Sequence, residues 1–344
     1  MMRLPEFTYH APRTLAEAAA RLAAAPGDTL LLAGGTDLLP NMKRRQQVPK
    51  AIVGLRHVAE LQQIRGTGAL QIGAGVTLTR VVRDPAVRAH YPGLWQAAAQ
   101  IATPHLRNMG TIGGNLCLDT RCTYYDQGHE WRKAIDFCLK KDGQVCWVAP
   151  SSPRCLAVSS TDTAPALLAL GAKVRLVSTA GERVIDVADL YRNDGIAYLT
   201  RRPDEILTDV LLPDAAGWRS TYWKLRRRGS FDFPVLSVAA AVRLDAGGRV
   251  AEARLVLGAV ASQPLTAARA AGALQGRPLD DDAIAEAADL AAALAKPMDN
   301  TDFTLVWRKR ASREFVAYAL RELRGDDMRN VRLQVARQSL DHVA

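Results

Sequence analysis

Thr29-Leu30-Leu31-Leu32-Ala33-Gly34-Gly35-Thr36-Asp37-Leu38 and, farther along, Thr111-Ile112-Gly113-Gly114-Asn115 decide how this 344-residue chain is read. The first is a strand-length apolar run broken by two adjacent glycines. The second is a similar pair inside a segment rich in turn formers, residues 103–116, which reads as a loop. Adjacent glycines lack Cβ atoms and accept positive φ, so successive backbone N–H groups can converge on a phosphate. Thr36, Thr111 and Asn115 stand where their side chains would add donors. Neither pair gives G-x-G-x-x-G opening a helix, so the Rossmann fingerprint is absent. Taken singly, each pair is also an ordinary turn. Two of them, with polar residues in matching places, point toward the pyrophosphate of a dinucleotide.

Upstream, Thr14-Leu15-Ala16-Glu17 is a capping box that opens an Ala-rich helix ending at Pro26-Gly27. Residues 51–55 and 70–76 read as strands, and Thr77 as the cap of a following helix. Strand and helix alternating at this spacing indicate α/β layers. Downstream, 163–170 reads as helix and 173–178 and 204–212 as strands. Residues 221–227, 235–244 and 249–260 form a further strand group, with a hairpin turn at Asp245-Ala246-Gly247-Gly248. Helical patterns near 265–273, 280–295 and 308–324 follow it, which predicts a separate α+β domain. The fold class is therefore multidomain, α/β followed by α+β. The domains are expected at 1–216, with an irregular excursion at about 117–157, and at 217–328, with a polar extension at 329–344 that projects.

Apolar residues make up 48% and charged residues 23%, as in ordinary soluble proteins, which excludes a disordered chain, a collagen-like repeat and a coiled coil. No apolar run reaches the ~18 residues of a membrane span. The start of the chain shows no signal-peptide pattern. A cytoplasmic protein without a membrane segment is expected. The net charge is +10. Basic and acidic side chains alternate, however, and no recognition motif or interleaved aromatic series accompanies them, so a nucleic-acid partner is not expected. A solvated basic surface, or one that docks an acidic partner, fits better. There is no Gly-x-Ser-x-Gly elbow and no paired-histidine metal motif.

All five cysteines, Cys117, Cys122, Cys138, Cys146 and Cys155, fall within 39 residues. In a cytoplasmic protein this favours metal or redox chemistry over disulfides. The spacing Cys122-x15-Cys138-x7-Cys146-x8-Cys155 lacks the tight knuckles of structural zinc. Four thiolates on an irregular loop suit a [4Fe–4S] cluster. Zinc and reduced structural cysteines are the alternatives. Cys117, in the apolar run Leu116-Cys117-Leu118, reads as a buried free thiol, which leaves the other four as ligands.

Ala33-Gly34-Gly35-Thr36-Asp37, Thr111-Ile112-Gly113-Gly114-Asn115 and Ser160-Thr161-Asp162 together resemble the FAD-binding subunit or domain of the molybdenum hydroxylases, the xanthine dehydrogenase and carbon monoxide dehydrogenase family. The resemblance covers most of the chain, including Leu257-Gly258-Ala259-Val260. It implies a two-subdomain FAD-binding domain of the PCMH type, then a C-terminal domain with a small antiparallel sheet and helices. The cysteine-bearing insert is similar to that of the 4-hydroxybenzoyl-CoA reductase β subunits, where it holds a [4Fe–4S] cluster.

The resemblance also implies roles. Leu31, Leu32, Ala33, Gly34, Gly35, Thr36, Asp37 and Leu38 would wrap the FAD pyrophosphate. Thr111, Ile112, Gly113, Gly114 and Asn115 would bind its second side. Ile101 would pack near the flavin ring, Asp162 would hydrogen-bond the ribityl or adenosine part, and Leu207 would line the adenine or ring pocket. Lys224 would reach the flavin from the C-terminal domain. Cys122, Cys138, Cys146 and Cys155 would hold the cluster. No substrate-converting residue is expected on this chain. The implied partners are a large molybdenum-cofactor subunit and a small [2Fe–2S] subunit, in a dimer of heterotrimers, with ferredoxin as electron donor. The implied reaction is the dehydroxylation of 4-hydroxybenzoyl-CoA to benzoyl-CoA. The alternative is another molybdenum hydroxylase that passes electrons out to NAD or a quinone.

Overall fold

The computed structural model describes residues 3–337. Thr14 caps the helix Leu15–Ala24 by accepting from the Glu17 amide at 3.2 Å, and Ala18, Ala19 and Leu22 form its buried face. That face covers a three-stranded parallel sheet ordered Thr8–His10, Ala51–Gly54, Thr29–Leu32. The strand Thr29–Leu32 lies at the edge, so the chain leaves it directly into the glycine pair.

A five-stranded antiparallel sheet follows, ordered Ile64–Arg65, Leu70–Gly73, Ile206–Leu212, Lys173–Ser178, Gly181–Asp186. Ile72, Val174, Leu176 and Val210 are fully buried on one face, where they join Val81, Leu94 and Leu167 from the helices above. The C-terminal part is a four-stranded antiparallel sheet ordered Leu265–Thr266, Val250–Gly258, Leu236–Leu244, Trp218–Leu225. Its strands pack on the helices Ala268–Leu274, Asp281–Leu294 and Leu305–Arg324 in one apolar core. This is the mixed architecture the sequence pattern predicted: α/β layers, then a domain whose sheet precedes its helices. Among the described residues no helix is long and apolar enough to cross a membrane.

Three expectations are corrected. Residues 103–116 are not wholly loop, because Thr103 and Thr111 cap two short helices, Pro104–Arg107 and Ile112–Leu116. The excursion contains one short helix, His129–Ala134. The polar tail does not project at 329–337. It forms the helix Arg329–Arg337, with Val335 buried in the C-terminal core and Arg332 paired to Glu322 at 2.6 Å. Residues 338–344 of that extension lie outside the described residues.

The two parts of the chain meet where the helix Pro92–Ala99 lies on the strand Trp218–Leu225. There the Gly93 amide donates to Ser220 Oγ at 3.1 Å, and Gln96 Oε1 accepts from the Tyr222 amide at 2.7 Å. Within the C-terminal domain Arg308 is fully buried and donates to the carbonyls of Val235, Met298 and Ala259 at 3.0, 2.9 and 2.6 Å. It ties the chain before the strand Leu236–Leu244, the turn after Val250–Gly258 and the entry to the long helix. Arg308→Ala orphans three buried acceptors and is expected to destabilise the protein by about 3 kcal/mol or more, read as a lower urea midpoint at unchanged slope.

Candidate functional site

A cavity of about 450 Å³ opens beside the end of the edge strand Thr29–Leu32. Two backbone segments form opposite walls. The first, Ala33 to Leu38, leaves the strand with Gly35 at φ +74°, a left-handed conformation that favours glycine. The second runs from Thr111 into the short helix Ile112–Leu116. The first segment meets the turn before the second so closely that a Cβ on Gly34 would overlap the Met109 carbonyl oxygen, while the second packs on the chain after the strand Leu70–Gly73, where a Cβ on Gly113 would stand 2.5 Å from the Ala74 Cβ.

Leu31, Ala33, Gly34, Gly35, Thr36, Asp37, Leu38, Ile101, Thr111, Gly113, Gly114, Asn115, Asp162 and Leu207 all line this one cavity. Three residues grouped with them in the sequence do not. Leu32 alternates away from Leu31 along the strand. Ile112 is fully buried in the core beneath. Lys224 stands behind Asp162 rather than at the surface of the cavity.

Asn115 Oδ1 accepts from Thr161 Oγ1 at 2.8 Å, the Thr163 amide at 3.1 Å and Thr163 Oγ1 at 2.6 Å. It thus binds the end of one wall to the start of the helix Thr163–Ala169. Asp162, at that junction, is buried. Its carboxylate accepts from Lys224 Nζ at 3.0 Å and Tyr222 Oη at 2.7 Å, both from the C-terminal sheet. Burial pushes the Asp162 carboxyl up and the Lys224 ammonium down, and the partner's charge opposes each shift. Lys224 Nζ also donates to the Gln100 carbonyl at 3.2 Å, beside Ile101.

Several lining residues had no sequence signal. Arg44, Arg121, Arg201 and Tyr198 face the cavity. Arg121 pairs with Asp37 and, at 3.3 Å, with Asp126, and its guanidinium lies 4.6 Å from the Phe233 ring centroid. Phe231 and Phe233 come from the C-terminal domain and stand exposed at the mouth, with Phe231 at φ +74°. Two aromatics flanking Asp232 just after Arg226-Arg227-Arg228 are the one hint the sequence offers.

The cysteine excursion leaves after the second wall and re-enters shortly before Asp162. Arg121 and Val158 close its base by exchanging amide–carbonyl bonds of 2.8 and 2.7 Å. Inside it, Cys122, Cys138 and Cys155 share one buried cluster with Tyr125 and Ala157. Cys146 is also buried, and Cys138 and Cys146 both bear electrostatically on Cys155. Burial pushes the Cys122 thiol up to about 12 and the Cys155 thiol up to about 11. Backbone amides act against this: those of Tyr124 and Tyr125 donate to the Cys122 sulfur, and that of Ala157 to Cys155 Sγ at 3.4 Å. Around Cys138, Asp136, Phe137 and Asp142 all take positive φ, a costly arrangement for three non-glycine residues. Among the described residues no group of three or more His, Cys, Asp or Glu is placed to hold a metal ion. Cys117, expected to be a buried thiol, is only partly buried. It ends the helix Ile112–Leu116 and lines the cavity, away from the other four.

Residues 5–215 match the family described as the FAD binding domain in molybdopterin dehydrogenase, and residues 220–323 match the CO dehydrogenase flavoprotein C-terminal domain. The chain belongs to the FAD-binding subunits of the molybdenum hydroxylase family. This flavoprotein subunit is 34% identical over 268 residues to the aldehyde oxidoreductase FAD-binding subunit of Escherichia coli, which covers 75% of this chain and 82% of that one. It is 31% identical to the carbon monoxide dehydrogenase medium chain of Afipia carboxidovorans, across 85% of this chain and 87% of that one. Among solved structures, carbon monoxide dehydrogenase from Hydrogenophaga pseudoflava superposes with a TM-score of 0.77 at 28% identity, covering 93% of this chain and 97% of that one.

In this flavoprotein subunit Gly34→Ala is expected to force the two walls apart, lowering both the melting temperature and the flavin-to-protein ratio. Gly27→Ala, where nothing stands within 4 Å of the added Cβ, should leave both unchanged.

Proposed function

We propose that this chain is the FAD and [4Fe–4S] electron-transfer subunit of a molybdenum-containing 4-hydroxybenzoyl-CoA reductase. It would relay electrons from reduced ferredoxin to the [2Fe–2S] clusters and molybdenum site of its partners. The observation that carries the reading is the buried four-cysteine excursion, inserted between Asn115 and Asp162, two residues that line one cavity fit for a dinucleotide.

The cavity suits FAD on its own terms. Gly34 and Gly113 leave no room for Cβ atoms against Met109 and Ala74, threonine and asparagine side chains flank the glycine pairs, and Arg44, Arg121 and Arg201 supply positive charge for a diphosphate. Ala33 to Leu38 and Thr111 to Asn115 would grip the diphosphate, while Asp162 would hydrogen-bond the ribityl or adenosine part. Ile101 and Leu207 would pack against the rings. Lys224 would act through Asp162, holding its carboxylate charged and oriented.

The cysteines suit a cluster. Cys122, Cys138, Cys146 and Cys155 are four soft donors in a largely apolar pocket, with amides already aimed at two of the sulfurs. Cys117, on the cavity wall, is the spare thiol. When bound, flavin exchanges electrons singly or in pairs and the cluster exchanges them singly. The polypeptide positions both and excludes water. The partners would be the molybdenum-cofactor large subunit and the [2Fe–2S] small subunit, in a dimer of heterotrimers in the cytoplasm. The second reading, electron flow outward from another substrate, draws on the aldehyde and carbon monoxide enzymes among the relatives.

Anaerobically purified protein is expected to contain about four irons per flavin. Serine at Cys122, Cys138, Cys146 or Cys155 should remove that iron, whereas Cys117→Ser should retain it. A yellow preparation without iron overturns the reading. In the assembled complex, benzoyl-CoA should form from 4-hydroxybenzoyl-CoA with a reduced low-potential dye. With ferredoxin instead, the rate should fall as ionic strength rises, because a basic surface would steer an acidic donor.

A further inference from the structure

Between the cavity and the cysteine pocket lies a buried ion pair that binding FAD or holding a cluster does not require. Lys140 and Asp119 have side chains only 6% and 5% exposed, with Nζ 2.8 Å from Oδ1. Nζ also donates to Thr120 Oγ1 at 2.7 Å and to the Gly195 carbonyl at 2.6 Å, so all three of its N–H groups are engaged and the ammonium is locked in place.

Each partner of the pair faces one of the two sites. Asp119 lines the cavity, and its amide donates to Asp37 Oδ2 at 3.3 Å. Its other carboxylate oxygen accepts from Tyr125 Oη at 2.9 Å, and Tyr125 packs with Cys122, Cys138 and Cys155. Lys140 lies 4.7 Å from the Tyr125 ring centroid and 5.4 Å from that of Tyr198, a cavity residue. It follows Cys138 by two positions, and its charge bears on Cys155. Gly195 clamps both groups. Its carbonyl takes Lys140, its amide donates to the Cys155 carbonyl at 2.9 Å, and a Cβ there would stand 2.6 Å from Cys155 Sγ. Burying a charged pair costs desolvation that the attraction seldom outweighs, so this pair is poorly explained as a device for stability.

We infer that Lys140 is a positioning residue for electron transfer: a fixed positive charge that raises the reduction potential of the cluster, with Asp119 as the counter-charge that limits the rise. The inference rests on the cluster assigned to Cys122, Cys138, Cys146 and Cys155 above. One electron from a one-electron donor adds one negative charge to the cluster and transfers no atom. A nearby ammonium favours that reduced state, and a nearby carboxylate disfavours it.

The test is a redox titration of the cluster, followed by electron paramagnetic resonance, in the assembled complex. Lys140→Met should lower the ratio of reduced to oxidised cluster at the wild-type midpoint on the order of tenfold, about 59 mV for one electron. Asp119→Asn should shift the midpoint the opposite way, and Lys140→Arg, which keeps the charge, should stay near wild type. The opposite signs separate an electrostatic role from loosened packing. Coincident midpoints for Lys140→Met and Lys140→Arg overturn the inference, as does a shift of the same sign in Asp119→Asn and Lys140→Met. If Lys140→Met loses its iron, the sign in Asp119→Asn decides alone, an upward shift supporting the inference and a null or downward one overturning it. Wild-type protein without iron overturns the cluster assignment itself, which iron analysis reads separately from any midpoint.

Discussion

One side-chain oxygen holds this architecture together. Asn115 Oδ1 receives three donors from Thr161 and Thr163, residues that would be its near neighbours if the cysteine excursion were removed. Because the oxygen is buried, each donor it gathers would otherwise face a desolvation cost. The bond set fixes where the helix Ile112–Leu116 ends relative to where Thr163–Ala169 begins, and with it the position of Asp162. Asp162 in turn engages Tyr222 and Lys224, so the register of the C-terminal sheet against the cavity follows from the same point. The second wall, the point where the insert re-enters and the domain contact therefore share one local arrangement.

Features that depend on chain neighbours were legible in the sequence. The cap of Thr14 on the Glu17 amide, the strand before Gly34-Gly35 and the Asp245–Gly248 hairpin are all encoded within a few residues, and they appear as read. Cys122, Cys138 and Cys155 do share one buried cluster, but among the described residues no three such side chains are placed as a metal site. Features decided by distant packing were not legible. The helix Arg329–Arg337 looks like a polar tail because its anchoring is two valines, Val331 and Val335, and an arginine over Trp223, a ring more than a hundred positions away. Arg44, Arg121 and Arg201 resemble the other basic residues in a chain of net charge +10 until the fold turns them toward one cavity. Lys224 sits on an alternating strand whose pattern suggests a solvent-facing lysine. Its burial is intelligible only once Asp162 is seen opposite.

The closure at Arg121 and Val158 gives the excursion the character of a cassette. Its two ends meet through a single antiparallel exchange, and what lies between is fastened to the frame where Arg132 donates to the Arg44 carbonyl, the Thr123 amide to the Asn300 carbonyl and Lys140 to the Gly195 carbonyl. A change within the segment is therefore felt at Arg44 on the cavity wall as well as inside the segment. An engineer who transplanted the segment between Arg121 and Val158 would have to carry those outer acceptors with it.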